Sequence, residues 1–489
     1  MKFLVDSNIL IAVEPTSESL EPKAAIAAEF IALASSPGHQ VVRHRAQEAD
    51  WARDRNAARK RARAVLVAKY PELPRVRALP PDLEALLGAP SAGSNDWVDN
   101  QLIGALAASA VDFVVTEDAG LHRKARRSGF EDRVLFVAGA RDLLLTLLDR
   151  PPAAPPAVRW TSATELDEND PIFHSLRSDY QGFDLWLARC RNESRDVAVI
   201  DDDDGRLAAV AILARKADRF GTAGSWLKIG TFKVADQHRG RRYGELLLKA
   251  IFGYRETNQF EFAYVTIFDK HEGLVRLFSD FGFARHVDRT SIGEAILTKR
   301  FTPTDEDRVA LAPLDYHLTF GPPALSIAEL QTFVVPVQPR FHRLLFPDAE
   351  LQLGLPGLQT DRPFGNGLRK AYLCHAPLKS IGVGATLLFY RSHDVKGVTC
   401  IGVVEDVSHE TTAEEIARLV GSRTVYSFEE IKSLANKTVL VIRFRQDRLV
   451  DPPIGLADLV SRQLLSGHPQ TVTRVKKEGI PWLTARIRA

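Results

Sequence analysis

The sequence predicts a multidomain protein: an α/β unit with a parallel sheet, then an α+β unit, then a β-barrel with short helices. The chain has 489 residues, which is more than one hydrophobic core usually contains. Strand and helix patterns alternate in its first third, whereas closely spaced strands fill its last third. A proline-rich stretch, "RPPAAPPAV", and a softer break ending in "GPPALS" divide the chain into residues 1–150, 155–300 and 312–489.

The composition is that of a globular protein, with 45% hydrophobic residues, 26% charged residues and a net charge of +2. Near-neutrality does not exclude nucleic-acid binding, which depends on local basic clusters. The three cysteines are widely spaced and form no CxxC pair, so a disulfide framework or a structural zinc site is not expected. No apolar run reaches membrane-spanning length, and the N-terminus does not resemble a signal peptide. We therefore expect a cytoplasmic protein without a membrane partner.

The first unit combines parallel-strand patterns with acidic residues at strand ends. We predict strands over 2–5, 113–116 and 134–137, and helices over 24–35, 47–69 and 96–109. In parallel sheets of this kind, ligands collect at the carboxyl ends of the strands. Asp6 and Asp118 each follow a predicted strand, Asp96 and Asp99 share one side of a helix, and Asp50 lies on the basic helix.

Each acid taken alone could be a helix cap. Together, at one edge of a sheet, their carboxylates would repel each other unless a cation neutralised them. Hard divalent ions such as Mg²⁺ or Mn²⁺ prefer sites made only of oxygen atoms. Carboxylate-held ions of this type serve phosphodiester hydrolysis, in which they activate water and stabilise the leaving oxygen.

The segments "FLVDSNIL", "DNQLIGALA" and "VVTED" resemble the three acidic motifs of PIN-domain ribonucleases of the VapC-like toxin class. The resemblance implies a metal-dependent nuclease in which Asp6, Asp99 and Asp118 are metal ligands and Asp96 lies close by. The family usually adds a Glu from a middle helix. Here Glu48, Asp50 and Asp54 are all candidates, and Asp50 is favoured.

The middle helix is strongly basic, with seven basic residues between Arg53 and Lys69. Such a run is commonly just a solvated helix face. Its position beside the predicted nuclease cleft also makes Arg59, Arg61 and Arg63 candidates for binding RNA phosphates. Both interpretations remain open from the sequence.

In the second unit, two strand patterns, "LAAVAILARKA" and "WLKIGTFKVA", precede the basic, glycine-containing loop of "DQHRGRRYGELLLKAIFGY". The loop opens a helix, so free backbone N–H groups at the helix start would lie beside Arg239, Arg241 and Arg242. Such an arrangement is suited to binding a pyrophosphate.

The loop resembles the R-x-x-G-x-G/A motif of GNAT acetyltransferases, with Arg242 in place of the penultimate glycine. The resemblance covers about residues 155–300 and implies that acetyl-CoA is bound. The backbone near Val234 would hold the pantetheine arm. The pyrophosphate would be bound by the loop residues Arg239, Gly240, Arg241, Arg242 and Gly244.

Two departures from the family concern catalysis. His271 stands where the family often has Asn, and Phe278 stands where it often has a Tyr that donates a proton to the leaving thiolate. His271 is a candidate acid or base. The alternatives are that His271 is a helix cap or surface residue and that the domain only binds acetyl-CoA or is purely structural.

The third unit contains the strand patterns "GATLLFYRS" and "TCIGVVE" and resembles PUA-like domains of the ASCH/EVE kind. These domains bind RNA or modified bases, so the resemblance implies an RNA partner. Tyr390 and Arg391 are candidate base-stacking residues. Strand alternation favours a core position for Phe389.

The leading hypothesis is a toxin-like, divalent-metal-dependent ribonuclease that acts on an RNA such as a tRNA and carries an acetyl-CoA-binding domain and an RNA-recognition barrel. One alternative is an N-acetyltransferase, with aminoacyl-tRNA as a candidate substrate, whose flanking domains only bind RNA. Another is a non-catalytic RNA-binding adaptor. An antitoxin partner and an oligomeric state are compatible with the sequence but not specified by it.

Overall fold

The structure is a computed structural model that describes residues 1–13, 23–36, 38–53, 67, 69–74, 76, 78–149, 157–202, 204–325, 331–352, 367–378 and 380–488. Arg59, Arg61 and Arg63 lie outside these ranges, as does most of the proline-rich stretch. Within these ranges, no helix combines the length and apolar character that crossing a membrane requires.

The first domain is built on a four-stranded parallel sheet in the order β2-β1-β3-β4. Its strands are β1 (Lys2–Val5), β2 (Gln40–Val42), β3 (Phe113–Val115) and β4 (Val134–Leu135). The predicted parallel sheet is thus confirmed. The sequence reading missed β2, whose three residues are too few to show a strand pattern.

Seven helices accompany this sheet in the part of the domain that the structure describes: α1 (Ser7–Val13), α2 (Ala24–Ala34), α3 (Glu48–Ala52), α4 (Pro81–Leu87), α5 (Asn95–Ala107), α6 (Ala119–Arg127) and α7 (Val137–Leu147). Side chains alternate across β1, so Phe3 packs with α2 and α7 while Leu4 packs with α5 and α6. Both faces of the sheet are therefore covered, as a parallel sheet requires. The carboxyl ends of the strands remain as the edge where ligands are expected.

The second domain is a seven-stranded sheet in the order β10-β11-β9-β8-β7-β6-β5. Its strands are β5 (Arg159–Ser162), β6 (Asp196–Asp201), β7 (Leu207–Arg219), β8 (Thr222–Val234), β9 (Phe262–Ile267), β10 (Ala284–Arg289) and β11 (Ala295–Arg300). All neighbours are antiparallel except β8 and β9, which are parallel. The β8–β9 pairing ends at Ile229 and Val265, although β8 continues to Val234. The two strands therefore diverge at this end of the sheet.

The helices of the second domain are α8 (His174–Asp179), α9 (Phe183–Asn192), α10 (Tyr243–Thr257) and α11 (Glu272–Asp280). Helix α10 buries Leu247, Leu248 and Ile251 against the sheet. It begins after Arg242, whose backbone is in the left-handed region with φ +61°. The chain thus turns sharply into α10 at the loop that the sequence singled out.

The third domain is a six-stranded sheet in the order β13-β16-β15-β14-β12-β17. Its strands are β12 (Thr332–Val337), β13 (Arg369–Cys374), β14 (Thr386–Arg391), β15 (Gly397–Glu410), β16 (Val439–Gly455) and β17 (Thr473–Arg474). The long strands β15 and β16 pair with three register shifts, which let a sheet curve. Phe389 is fully buried, which confirms its predicted core position. Closure into a barrel remains a prediction.

The described residues after 300 also contain eight helices: α12 (Asp305–Ala310), α13 (Pro313–Phe320), α14 (Pro339–Leu345), α15 (Pro347–Gln352), α16 (Ala413–Val420), α17 (Phe428–Leu434), α18 (Leu456–Ser461) and α19 (Ile480–Arg488). Capping boxes begin α12 at Thr304 and α17 at Ser427. In each box the hydroxyl and the acid three residues on satisfy two N–H groups at the helix start.

A buried ion pair joins the second domain to the third. Glu245, in the first turn of α10, is 7% exposed and binds the Arg242 guanidinium through contacts of 2.6 to 2.9 Å. Its carboxylate also accepts the backbone N–H of Arg369 at 2.6 Å. Arg242 in turn donates to the carbonyls of Arg369 at 2.5 Å and Ser422 at 3.2 Å. Burial alone would raise the pKa of Glu245, but Arg242 outweighs it and lowers the pKa, so the carboxylate stays charged.

The first domain joins the third through Asp132. Its carboxylate binds Arg423 at 3.2 Å and Arg443 at 3.0 Å. Glu405 continues the cluster, with Arg423 and Arg445 each 2.9 Å away. Three acids, Asp132, Glu245 and Glu405, thus hold an arginine cluster at which all three domains meet.

We predict that Glu245→Gln destabilises the protein by about 3 kcal/mol, because it leaves the buried Arg242 charge without its counter-charge. The readout is the midpoint of the first thermal unfolding transition of the full chain. The matched control is Glu256→Gln, an exposed position on the same helix, which should change stability by less than about 0.5 kcal/mol. Equal midpoints for the two variants would show that the pair does not hold the domains together.

Candidate functional site

A cavity of about 770 Å³ opens where β8 and β9 diverge. The volume is within the range of sites for small organic ligands, about 300–1,000 Å³. One wall consists of Gly230 to Val234 on β8 and Val265 to Ile267 on β9. Beyond the last paired residues, β8 has no β9 partner on this side, so its peptide groups face the cavity instead of a strand.

The loop before α10 forms a second part of the wall. Arg239, Gly240, Arg242, Tyr243 and Gly244 line the cavity, and Gly240 has φ +84°. The first N–H groups of a helix lack intrahelical partners, so the start of α10 offers donors to an anion. Val234 also lines the cavity, close to where the sequence placed the pantetheine arm.

This geometry fits acetyl-CoA. The ligand is a long, flexible arm with amide groups that ends in a pyrophosphate. Diverging strands supply unpaired peptide groups for the arm, and the start of α10 supplies donors for the phosphates. Both features border the same cavity.

Two of the three arginine side chains in the loop before α10 have partners other than those that the sequence predicted. Arg241 binds Asp142 of the first domain at 2.8 Å, and Arg242 binds Glu245 and the third domain. Only Arg239 keeps a largely exposed guanidinium, paired with Asp236 at 2.7 Å. The expected group of three guanidiniums beside the phosphates is therefore reduced, because two of them are engaged at domain junctions.

His271 lies in the cavity and pairs with Asp179, the last residue of α8. Its Nε2 lies 3.0 Å from an Asp179 oxygen, and its side chain makes no cap hydrogen bond to α11. Burial lowers the pKa of His271, and Asp179 only partly opposes this. The imidazole is therefore neutral at pH 7 and able to accept a proton.

Sequence reasoning missed Asp179, Tyr180 and Glu294, which also line the cavity. Burial and the neighbouring Glu294 carboxylate raise the pKa of Tyr180, so its phenol stays protonated. The three residues belong to no recognisable motif, and Glu294 comes from a distant β-hairpin. Phe278, by contrast, is fully buried against Phe232 and offers no proton, as expected.

The acids of the first domain lie at the carboxyl edge of its sheet. Asp6, 7% exposed, accepts hydrogen bonds from the Thr116 hydroxyl at 2.6 Å and from the Ser7 N–H at 2.6 Å. Burial raises the pKa of Asp6 to about 7, and the charges of Asp99 and Asp50 add to this effect. Asp50 accepts a hydrogen bond from Ser7 at 2.8 Å, and burial raises its pKa too.

The remaining acids have other partners. Lys124 lies between Asp96 and Asp99, with its Nζ 2.8 Å from the first carboxylate and 3.1 Å from the second. Asp118 is exposed and caps α6 by accepting the Gly120 N–H at 2.5 Å. Asp99 and Asp118 are still close enough for their charges to interact. The four acids Asp6, Asp50, Asp99 and Asp118 thus form one electrostatic group.

Glu117, next to Asp118, is engaged in contacts within the first domain. It accepts the Val137 N–H at the start of α7 and pairs with Lys23, so its role is structural.

Within the described ranges, no group of three or more His, Cys, Asp or Glu side chains is arranged to hold a metal ion. The ammonium of Lys124 supplies positive charge where the sequence analysis expected a divalent ion. Joint ligation by Asp6, Asp99 and Asp118 therefore stays a prediction.

The candidate RNA-stacking residues of the third domain are buried. Tyr390 and Arg391 are both 0% exposed, and Arg391 binds Asp394 at 2.6 Å. Both faces of β14 are covered, because Leu387 and Phe389 belong to one hydrophobic cluster while Leu388 and Tyr390 belong to another. In this arrangement neither side chain presents a face on which a base could stack.

The comparisons with known proteins identify the second domain. The model of the acetyltransferase (GNAT) family matches residues 160–283, about a quarter of the chain. The chain therefore contains a GNAT acetyltransferase domain, which confirms that part of the sequence prediction. None of the curated proteins matches the chain.

Parts of this chain are similar to solved structures of two kinds of protein. The ASCH protein of Zymomonas mobilis is 16% identical, with 32% of this chain and 95% of that protein covered and a TM-score of 0.25. The yncA protein of Salmonella typhimurium, solved with acetyl-CoA, is 14% identical, with 31% and 96% covered and a TM-score of 0.26.

We predict that stability depends on pH through Asp6. Its carboxyl group has an ordinary pKa of 3.8 and a folded-state pKa of about 7. The folded state thus holds its proton more tightly, and wild-type protein should lose stability as pH rises from about 4 to 7, by up to about 1.4 kcal/mol per pH unit. Asp6→Asn removes this loss, so the stability of the variant relative to wild type should improve between pH 5 and pH 8.

The measurement is the unfolding midpoint of each protein at several pH values. The control is Asp82→Asn at an exposed position of α4, which should change stability by less than about 0.5 kcal/mol. A constant difference between Asp6→Asn and wild type would show that Asp6 titrates normally.

Proposed function

We propose that the chain is an N-acetyltransferase that transfers an acetyl group from acetyl-CoA to an amine. The observation that carries the proposal is the cavity at the divergence of β8 and β9, bordered by the α10 loop and containing a His–Asp pair. Most of this site lies within the stretch that matches the GNAT family.

The residues that would hold acetyl-CoA follow from the geometry. The edge of β8 from Gly230 to Val234 would bind the arm, and the amides at the start of α10 would bind the pyrophosphate. When bound, acetyl-CoA supplies an acetyl group already activated as a thioester. The chain must then orient an acceptor amine and remove its proton.

His271 is the proposed base. With its Nε2 held by Asp179, the opposite nitrogen is left to accept a proton from the amine. Asp179 is a positioning residue: it fixes the ring and stabilises the imidazolium that forms. Because burial lowers the pKa of His271 from its ordinary value, the neutral, basic form is favoured at pH 7.

Flanking domains of the kind that the sequence predicts would bring an RNA-borne amine to this cavity. The aminoacyl end of a charged tRNA is such an acceptor, and an acetylation assay that compares aminoacyl-tRNA with free amino acids tests it. Faster acetylation of the free amino acids would remove RNA from the proposal and leave a small-molecule acetyltransferase.

We predict that His271→Asn lowers kcat by about 10²-fold or more, because the general base is lost. Asp179→Asn should lower it less and move the acid limb of the pH profile to lower pH, since the Asp179 carboxylate raises the pKa of His271. Steady-state kinetics with acetyl-CoA over pH 5 to 9 measures both. His174→Asn, exposed at the start of α8, is the matched control. If His271→Asn kept full activity, the base would have to be another residue.

A second candidate function is metal-dependent RNA cleavage by the first domain. The observation in its favour is the electrostatic group of Asp6, Asp50, Asp99 and Asp118, in which burial and mutual repulsion raise the pKa of three carboxyl groups. A divalent ion would relieve this repulsion if it displaced Lys124. The candidate is independent of acetyl transfer.

We predict for this candidate that Mn²⁺ raises the unfolding midpoint of wild type and supports RNA cleavage, and that Asp6→Asn and Asp99→Asn abolish both effects. Asp82→Asn serves again as the control. Cleavage that persists in both variants, or no response to Mn²⁺ at all, would eliminate the nuclease. A protein that neither binds acetyl-CoA nor cleaves RNA would be a non-catalytic adaptor.

A further inference from the structure

The cavity of the second domain is not built by that domain alone. Ala119, His122, Arg123 and Arg126 of helix α6, together with Phe136 before α7, form part of its lining. These five residues belong to the first domain, which therefore covers one side of the proposed acetyl-CoA site.

The contact between the two domains is close and involves the backbone of the cofactor loop. A Cβ on Gly240 would lie 2.8 Å from the Cβ of Phe136, and one on Gly139 would lie 2.9 Å from the Gly240 oxygen. Arg241 is anchored on Asp142, which is fully buried in α7. The first domain is therefore packed directly on the loop, and α6 has a defined position beside the cavity.

Helix α6 places positive charge at the cavity, where the loop before α10 has less of it than the sequence predicted. Arg241 and Arg242, which the sequence assigned to the phosphates, are held by Asp142 and Glu245. Arg123 and Arg126 line the same cavity from the first domain. Guanidinium groups are well suited to phosphate because they donate two parallel hydrogen bonds.

Arg126 is able to bind an anion. No carboxylate in the described part of the chain forms an ion pair with it. Burial and the nearby Arg276 lower its pKa, and the carboxylates of Asp280, Glu131 and Glu272 oppose this only in part. Arg123 is held at 3.3 Å by Glu272, the first residue of α11, and both side chains are about half exposed. A bound phosphate would supply Arg126 with an ion-pair partner and would compete with Glu272 for Arg123.

We propose that the first domain completes the acetyl-CoA site: Arg123 and Arg126 of helix α6 bind the phosphate groups of the cofactor. The inference rests on the proposed acetyltransferase function and extends it, because it makes the first domain a part of cofactor binding. It also gives a physical reason for fusing the domains, since the phosphate-binding charge comes from two of them.

Calorimetric titration of the full chain with CoA, and separately with pantetheine, tests the proposal. The double variant Arg123→Gln/Arg126→Gln should bind CoA about 10- to 100-fold more weakly, as expected for the loss of charge-assisted hydrogen bonds. Its affinity for pantetheine, which has no phosphate, should equal that of wild type. Arg126→Lys should lose less CoA affinity than the double variant, because it keeps the charge but not the paired hydrogen bonds of the guanidinium.

Two further variants sharpen the test. Arg127→Gln is the matched control, because Arg127 lies next in α6 but donates to the Leu86 carbonyl at 2.6 Å and does not line the cavity. Glu272→Gln should tighten CoA binding several-fold, since it frees Arg123 and removes a carboxylate that repels phosphate. Glu272→Gln also serves if the double variant fails to fold, because it leaves both arginines in place.

The outcomes separate the inference from the function it rests on. If wild type binds CoA and the arginine variants bind it equally well, the inference is overturned and the acetyltransferase proposal stands. If wild type binds neither CoA nor pantetheine, the function itself fails. Equal weakening toward CoA and pantetheine would also overturn the inference, because it would indicate a distorted cavity.

Discussion

The buried carboxylate of Glu245 constrains the rest of the molecule. It binds both the Arg242 guanidinium and the backbone N–H of Arg369. It therefore ties the turn before α10 to strand β13 of the third domain. A charge removed from water is stable only when its partners are fixed in position. The loop that borders the cavity therefore has its conformation set partly by a different domain.

This constraint explains a departure from the family motif that looks unfavourable in the sequence. Arg242 replaces a glycine, and its backbone adopts φ +61°, where side chains are usually disfavoured. The side chain points into the domain junction, where its five hydrogen bonds to Glu245, Arg369 and Ser422 offset the backbone strain. Arg242 is thus better described as a connector of domains than as a phosphate ligand.

Acidic residues have opposite electrostatic surroundings at the domain junction and at the edge of the first sheet. Asp132, Glu245 and Glu405 neutralise arginines at the junction, and the pKa of each acid is lowered by those arginines despite burial, which opposes it. The acid group of the first domain is the opposite case, since burial and mutual repulsion raise the pKa of Asp6, Asp50 and Asp99. Carboxyl groups that repel one another thus lie at the edge of the first sheet, whereas two arginines of helix α6, Arg123 and Arg126, lie at the cavity.

The sequence by itself determined the parallel sheet of the first domain, the GNAT domain with its loop before α10, and the core position of Phe389. Each depends on a local pattern: apolar strands alternating with helices, a glycine-containing turn before an amphipathic helix, or alternation along a strand. Only the tertiary structure decided that the guanidinium groups of Arg241 and Arg242 are engaged at domain junctions and that Arg123 and Arg126 line the cavity. It also decided that Asp179 meets His271 and that Tyr390 and Arg391 are buried. These outcomes depend on contacts between residues far apart in the chain, and no spacing within a motif encodes which side chains meet when whole domains pack together.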